Sequence, residues 1–197
     1  MKTIKARITF IEELLGTASN DKEIHAEFIA SKAPDAQSLK DEVAAVGIDE
    51  VVEKQMTVFP RNENGKAIVY DYQLKGFFKD SCSSLRKVSG TASSKIKAFK
   101  KEIDGLIFVF PRMIEVCNYE NIGNCQRPLR AQTAQGERIA LANSETIPQG
   151  AYIDVEIRCL SDEHEKLVIE WLDYGALRGL GQWRNSGKGR FTWEKLE

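Results

Sequence analysis

The chain has 197 residues, 42% hydrophobic and 29% charged, with 28 Lys plus Arg against 29 Asp plus Glu and a formal net charge of -1. That length suits one domain, or one domain with an insertion, and is enough to bury a core without disulfide staples. The longest aliphatic and aromatic run, Leu106 to Phe110, is far short of the roughly 20 residues that span a bilayer, and a total charge near zero argues against nucleic acid only if the charge is evenly spread.

Thr3 to Phe10 alternates, with Ile4, Ala6, Ile8 and Phe10 on one face, and predicts a half-buried strand. Residues 20–46 read as two short helices, Glu23 to Ala30 and Ala36 to Val46, separated by Pro34, with Asp35 as a cap. Their acidity marks an insertion lying on the surface. Val51 to Phe59 and Ala67 to Tyr72 are strands joined by the turn Asn62-Glu63-Asn64-Gly65. Gln73 to Val88 predicts a helix, since Leu74, Phe77, Phe78, Cys82 and Leu85 recur at a spacing of three to four. Ser93 to Lys101 reads as a further basic helical turn or two, and Leu106 to Phe110 as a buried strand ended by Pro111.

Arg127 to Gln132 and Arg138 to Ala142 predict a hairpin around Ala134-Gln135-Gly136. Pro148-Gln149-Gly150 is a turn that launches Ala151 to Leu160, the clearest strand in the chain. Asp162 with Glu165 three residues later resembles a capping box. The helix it opens carries Val168, Trp171, Leu172 and Ala176 inward and runs out near Gly179. A last short strand covers Arg190 to Trp193.

Charge divides along this order. Residues 1–60 hold 7 basic and 11 acidic residues, residues 61–130 hold 13 and 7, and residues 131–197 hold 8 and 11. Lys75, Lys79, Arg86, Lys87, Lys95, Lys97, Lys100 and Lys101 fall in one stretch with Asp80 as its single acid. Arg178 to Arg190 carries Arg178, Arg184, Lys188 and Arg190 with no acid. A lone basic cluster is usually a solvated helix face; two, the second in a glycine-rich loop, point to an anionic partner.

The loop holds Gly179, Gly181, Gly187 and Gly189. Glycine lets main-chain N–H groups face an anion with no side chain between. A phosphate-binding P-loop is excluded: Gly181 and Gly187-Lys188 enclose five residues, and Gly189 follows the lysine where Ser or Thr is required. A dinucleotide fingerprint is excluded because no βαβ unit follows. A helix C-cap followed by a tight hairpin explains the glycines but not the cations.

The order helix, Gly-Leu-Gly-x-x-Arg-x-x-Gly-x-Gly-Arg, short final strand resembles the RAMP superfamily of CRISPR-associated RNA-binding proteins, most of all its backbone subunits. Two more segments agree in order: Tyr72-Gln73-Leu74-Lys75-Gly76-Phe77-Phe78, like the family's strand, Leu-Lys-Gly, helix element with Arg86 as its trailing arginine, and Ile147 to Val155, like its Pro-x-Gly and alternating strand. The resemblance covers residues 66–197 and the first strand. The usual Pro-Gly-Ser before Leu-Lys-Gly is replaced by Asp71-Tyr72-Gln73, and the insertion has no counterpart.

The resemblance implies an α+β, modified ferredoxin-like (RRM-like) fold in a single domain, residues 1–197. Its sheet is largely antiparallel, with helices on one face and a helical insertion at about 20–50. It implies a non-catalytic protein that holds single-stranded RNA between the glycine loop and the Leu-Lys-Gly helix. Lys75, Lys79, Arg86, Arg184, Lys188 and Arg190 would neutralise phosphates. Gly181, Gly187 and Gly189 would supply close approach and backbone N–H groups, and Trp183 and Phe191 are stacking candidates, with core packing as the competing role for Phe191.

Two alternatives remain. One is a metal-independent endoribonuclease using a histidine, which here means His25 or His164. The other is a phage or mobile-element protein that mimics a CRISPR subunit or sequesters a nucleotide signal, which the acidic first third motivates. Expected partners are RNA or another nucleotide ligand, CRISPR-type subunits and further copies of the chain, with no membrane, metal or cofactor. Cys82, Cys117, Cys125 and Cys159 form no C-x-x-C pair, and the N-terminus lacks a secretory apolar core, so reduced thiols and a cytoplasmic location are expected.

Overall fold

In a computed structural model of the chain, the described residues are 1–20, 56–133 and 136–197. The two helices expected within 20–46, the first part of the 51–59 strand and His25 lie outside them. Strand β1 (Lys2–Phe10) turns Ile4, Ala6, Ile8 and Phe10 into the core, as its alternation requires. Two short strands follow, β2 (Leu14–Leu15) and β3 (Ala18–Ser19). Then come β4 (Met56–Val58) and β5 (Ile68–Tyr70).

Helix α1 (Asp71–Leu85) starts where the Gln73 side chain accepts the Tyr70 N–H at 2.7 Å, and it buries Leu74, Phe77, Phe78, Ser81 and Cys82. A 3-10 turn at Ala92–Lys95 and the helix α2 (Phe99–Leu106) lead into β6 (Ile107–Phe110) and β7 (Met113–Glu115). A long hairpin, β8 (Gly123–Thr133) and β9 (Gly136–Ile147), precedes β10 (Tyr152–Cys159). Helix α3 (Asp162–Arg178), a 3-10 turn at Arg184–Ser186 and β11 (Phe191–Leu196) complete the order.

The main sheet has the order β11-β1-β10-β6, and every neighbouring pair is antiparallel. Taken along the chain as β1, α1, β6, β10, α3 and β11, this is a βαββαβ unit whose strands lie fourth, first, third, second. That is the ferredoxin-like arrangement, so the fold is α+β. α1 and α3 cover the inner face. Phe78 of α1 packs on Trp171 of α3 with ring centroids 5.5 Å apart, and Phe77 packs on Phe191 of β11 at 5.2 Å. The chain between β6 and β10 carries β7 and the hairpin. β9 pairs with β2, β4 and β8, which makes a second sheet beside the first.

Several expected elements change on folding. The described part of the 51–59 segment, β4, does not pair with β5 as a hairpin. β4 lies parallel to β9 and β5 pairs with β7, while the Asn62–Gly65 turn is closed by an isolated Arg61–Ala67 bridge and its backbone hydrogen bonds. β6 is not buried throughout; it is an edge strand that turns Ile107 and Val109 inward and leaves Phe108 and Phe110 exposed. α3 is capped one residue earlier than expected, by Ser161, whose hydroxyl accepts the His164 N–H at 3.2 Å. On its inner face Gly175, not Ala176, is buried, because the Phe191 ring stands 2.2 Å from where a Cβ on that glycine would be. Among the described residues no helix is long and apolar enough to cross a membrane.

Candidate nucleic-acid interface

The glycine loop leaves α3 at Gly179, whose φ of 78° only glycine adopts without strain. It then closes on itself. Leu180 N–H donates to Gly189 O at 2.8 Å and Gly189 N–H donates to Glu13 O at 2.8 Å. A Cβ on Gly189 would stand 1.9 Å from Leu180 O, so the two arms of the loop touch through backbone alone. Gly187, with φ 86°, donates its N–H to Arg184 O at 2.9 Å. The expectation that Gly187 and Gly189 offer N–H groups to an anion is therefore corrected: the Gly187 donor closes a turn of the loop on Arg184 O, and the Gly189 donor ties the loop to Glu13 O. Gln182 fastens the loop to the second sheet. Its amide donates to Thr57 Oγ1 at 2.7 Å and to Gly16 O, and its carbonyl accepts from Arg127 Nη2 at 3.2 Å.

Between this loop and the start of α1 lies a cavity of about 520 Å³. Tyr70, Tyr72, Gly76 and Phe77 line one side, Gly181 and Arg184 the other, and Thr17, Ser19 and Pro60 close it. Tyr70 and Tyr72 stack with centroids 5.1 Å apart, and the Arg112 guanidinium lies over the Tyr72 ring at 5.2 Å. Nothing lies within 4 Å of where a Cβ on Gly76 would be, so the glycine widens the space. The lining is aromatic, with one cation at the loop side.

Arg184 is held in place by Asp80, which it reaches at 2.8 Å; Asp80 also takes Arg178 at 2.6 Å, and Arg178 reaches Asn185 at 3.0 Å. The Arg178 hydrogen bond, followed by the nearby Arg184 charge, holds the Asp80 carboxyl below the usual range despite partial burial. One carboxylate between two guanidiniums leaves a net positive charge at the cavity. Lys188 is paired with Glu13 at 2.6 Å, which raises its ammonium pKa. Arg190 is half-buried, with its guanidinium beside Gly187 and its Nε without a hydrogen-bond partner among the described residues.

The other predicted cations are elsewhere. Lys75 and Lys79 do not line the cavity; they turn toward α2 and β6. Lys79 binds Asp104 at 2.6 Å; Lys75 donates to Asp104 O at 3.3 Å and lies over Phe108 at 5.1 Å, with its pKa lowered by burial. Arg86 lies ten residues beyond Gly76, about 15 Å along the helix, over the Phe99 ring at 5.4 Å. The structure thus brings Arg184, Gly181 and the Tyr72–Phe77 turn together, and leaves Lys75, Lys79 and Arg86 away from them.

The two stacking candidates separate cleanly. Phe191 is 1% exposed and packs among Phe10, Phe77 and Gly175, so it is a core residue. Trp183 is 37% exposed and sits in the left-handed region at φ 53°. Behind its ring lies Arg127, with the guanidinium carbon 4.7 Å from the centroid. Three residues of this neighbourhood were not singled out from sequence: Arg127, Tyr70 and Asp80. A lone arginine in a hairpin carries no sign of burial, and Asp80 read only as a minor offset in a basic stretch.

His164 sits in the first turn of α3, with Nδ1 2.8 Å from Ser161 Oγ and Nε2 3.6 Å from Glu102. The described residues contain no group of three or more His, Cys, Asp or Glu that could hold a metal ion.

No protein-family model matches the chain, and no curated protein matches it. Among solved structures, it is similar to a chain in the cryo-EM structure of the Type III-B Cmr-beta bound to cognate target RNA. Sequence identity is 12% and the TM-score 0.53; the match covers 99% of this chain and 58% of that one. The likeness is one of fold, and this chain spans less than two thirds of the length of that relative.

Proposed function

We propose that the chain is a RAMP-type, non-catalytic RNA-binding protein, a single unit over residues 1–197 that holds a single strand across the cavity between α1 and the glycine loop. One observation carries the reading: the aromatic turn Tyr70–Phe77 and the loop segment Gly181–Arg184 face each other across one cavity of about 520 Å³. A ring that reaches solvent beside a backbone-binding cation is what a single strand requires; of the cavity's rings Tyr70 and Phe77 are buried and Tyr72 is partly exposed. Arg184 supplies the cation and Trp183 an open ring. The likeness of fold to an RNA-bound Cmr-beta chain supports the same class of ligand, and CRISPR-type subunits as protein partners.

Lys75, Lys79 and Arg86 serve in this reading as outlying phosphate contacts for a longer strand. The endoribonuclease alternative draws no support from His164, whose Nδ1 is engaged with the Ser161 cap.

Titration of a fluorescein-labelled oligouridylate into the full chain, from about 50 to 200 mM salt, tests the reading. Binding that weakens steeply with salt is expected. No binding at the low-salt end, or binding indifferent to salt, overturns it.

A further inference from the structure

Arg127, on β8, is 8% exposed. Its Nη2 donates to the neutral Gln182 carbonyl at 3.2 Å, and its Nε and Nη1 have no hydrogen-bond partner among the described residues. No carboxylate among those residues pairs with it. A buried guanidinium is costly without a counter-charge, and one that no described carboxylate pairs is a place where an external anion can compensate it. Among the described residues the aromatic group over it is Trp183, at 4.7 Å, and that residue is 37% exposed, which leaves part of the indole accessible. Trp183 holds a left-handed backbone conformation that is unfavourable for a residue with a Cβ, so the ring is kept in this place at a cost.

We infer that Arg127 and Trp183 form one recognition unit for a nucleotide of the bound strand: the accessible indole face stacks the base, and the uncompensated charge behind it attracts the adjoining phosphate. This rests on the RNA-binding reading above. The cation behind the ring and the base in front of it occupy opposite faces of one indole, so the two contacts do not compete.

The test uses the full chain, the labelled oligouridylate, and the variants Arg127→Met, Arg127→Lys and Trp183→Phe. Arg127→Met removes an unpaired buried charge while keeping much of the volume. It is expected to leave the melting temperature unchanged or raised, to weaken oligouridylate about tenfold, and to lower the salt slope by about 0.7, the share of one phosphate contact on a single strand. Arg127→Lys is expected to retain the wild-type salt slope. Oligouridylate is expected to quench the tryptophan emission of wild type and not that of Trp183→Phe.

A lowered melting temperature or failure to fold in Arg127→Met would make Arg127 a structural residue and overturn the inference. Wild-type affinity and salt slope in Arg127→Met would overturn it while leaving the RNA reading intact. No binding by wild type overturns the RNA reading and this inference with it.

Discussion

Asp80 of α1 holds Arg184 of the glycine loop at 2.8 Å while also binding Arg178 of α3 at 2.6 Å. A single carboxylate thus ties the two cationic regions of the sequence together and fixes the cation that, among the described residues, lines the cavity. The pair of guanidiniums outnumbers it, so the tie positions Arg184 without cancelling its charge.

Asp80→Asn is therefore expected to have effects of opposite sign. Loss of two partly buried ion pairs lowers stability by about 1–2 kcal/mol, and the extra positive charge tightens oligouridylate severalfold. The stability difference depends on pH. The folded state holds the Asp80 carboxyl below its ordinary value, so its contribution is complete above the unfolded pKa of about 3.9 and is lost as pH falls through the lower folded value. Thermal melts of wild type and variant should converge as pH is lowered from neutrality into that range.

Phe191 and Trp183 should part company on mutation. Phe191→Ala removes a ring that is 1% exposed and is expected to cost about 3–5 kcal/mol, measured by urea unfolding. Trp183→Ala, at an exposed ring, is expected to change stability little and to cost about 1–3 kcal/mol of RNA affinity.

Three glycine-to-alanine changes, in a turn, a helix and the glycine loop, grade backbone conformation against steric contact. Gly65 has φ 74° with nothing within 4 Å, so alanine there costs about 1 kcal/mol for the backbone alone. Gly175→Ala meets the Phe191 ring at 2.2 Å and is expected to cost about 1–3 kcal/mol as overpacking. Gly189→Ala combines φ 70° with a 1.9 Å approach to Leu180 O and is expected to exceed about 4 kcal/mol. Denaturation midpoints should follow that order.

All four cysteines are free thiols, and burial separates their reactivity. It pushes the Cys159 thiol up to about 11 and raises Cys82 as well. Iodoacetamide near pH 8 should modify Cys125 first and reach Cys82 and Cys159 only after unfolding, as read by mass spectrometry.

The strands of the main sheet were legible because one face is buried. β1 and β10 alternate without a break, and the apolar spacing of α1 and α3 follows the helix period. What alternation does not encode is partner choice. β5 sits after a good turn signal, yet it pairs with β7 because the chain from β4 is drawn into the second sheet beside β9. The site was half legible for a similar reason. The glycine loop announces itself by composition and the Leu-Lys-Gly segment by the family resemblance, and both border the cavity. Lys75 and Lys79 are neighbours of Gly76 in sequence but are taken up by Asp104 of α2 and Phe108 of β6 rather than by the cavity. Arg127 left no mark at all, because an unpaired buried charge is visible only once the fold has removed its alternatives.

The most direct test of the RNA-binding account is ultraviolet crosslinking of the full chain to a single-stranded oligouridylate, with adducts mapped by mass spectrometry. Adducts at Trp183 and within Tyr70–Phe77 are predicted, and they should disappear in excess salt. Absence of adducts, or adducts confined to the exposed Phe108 and Phe110 of β6, would contradict it.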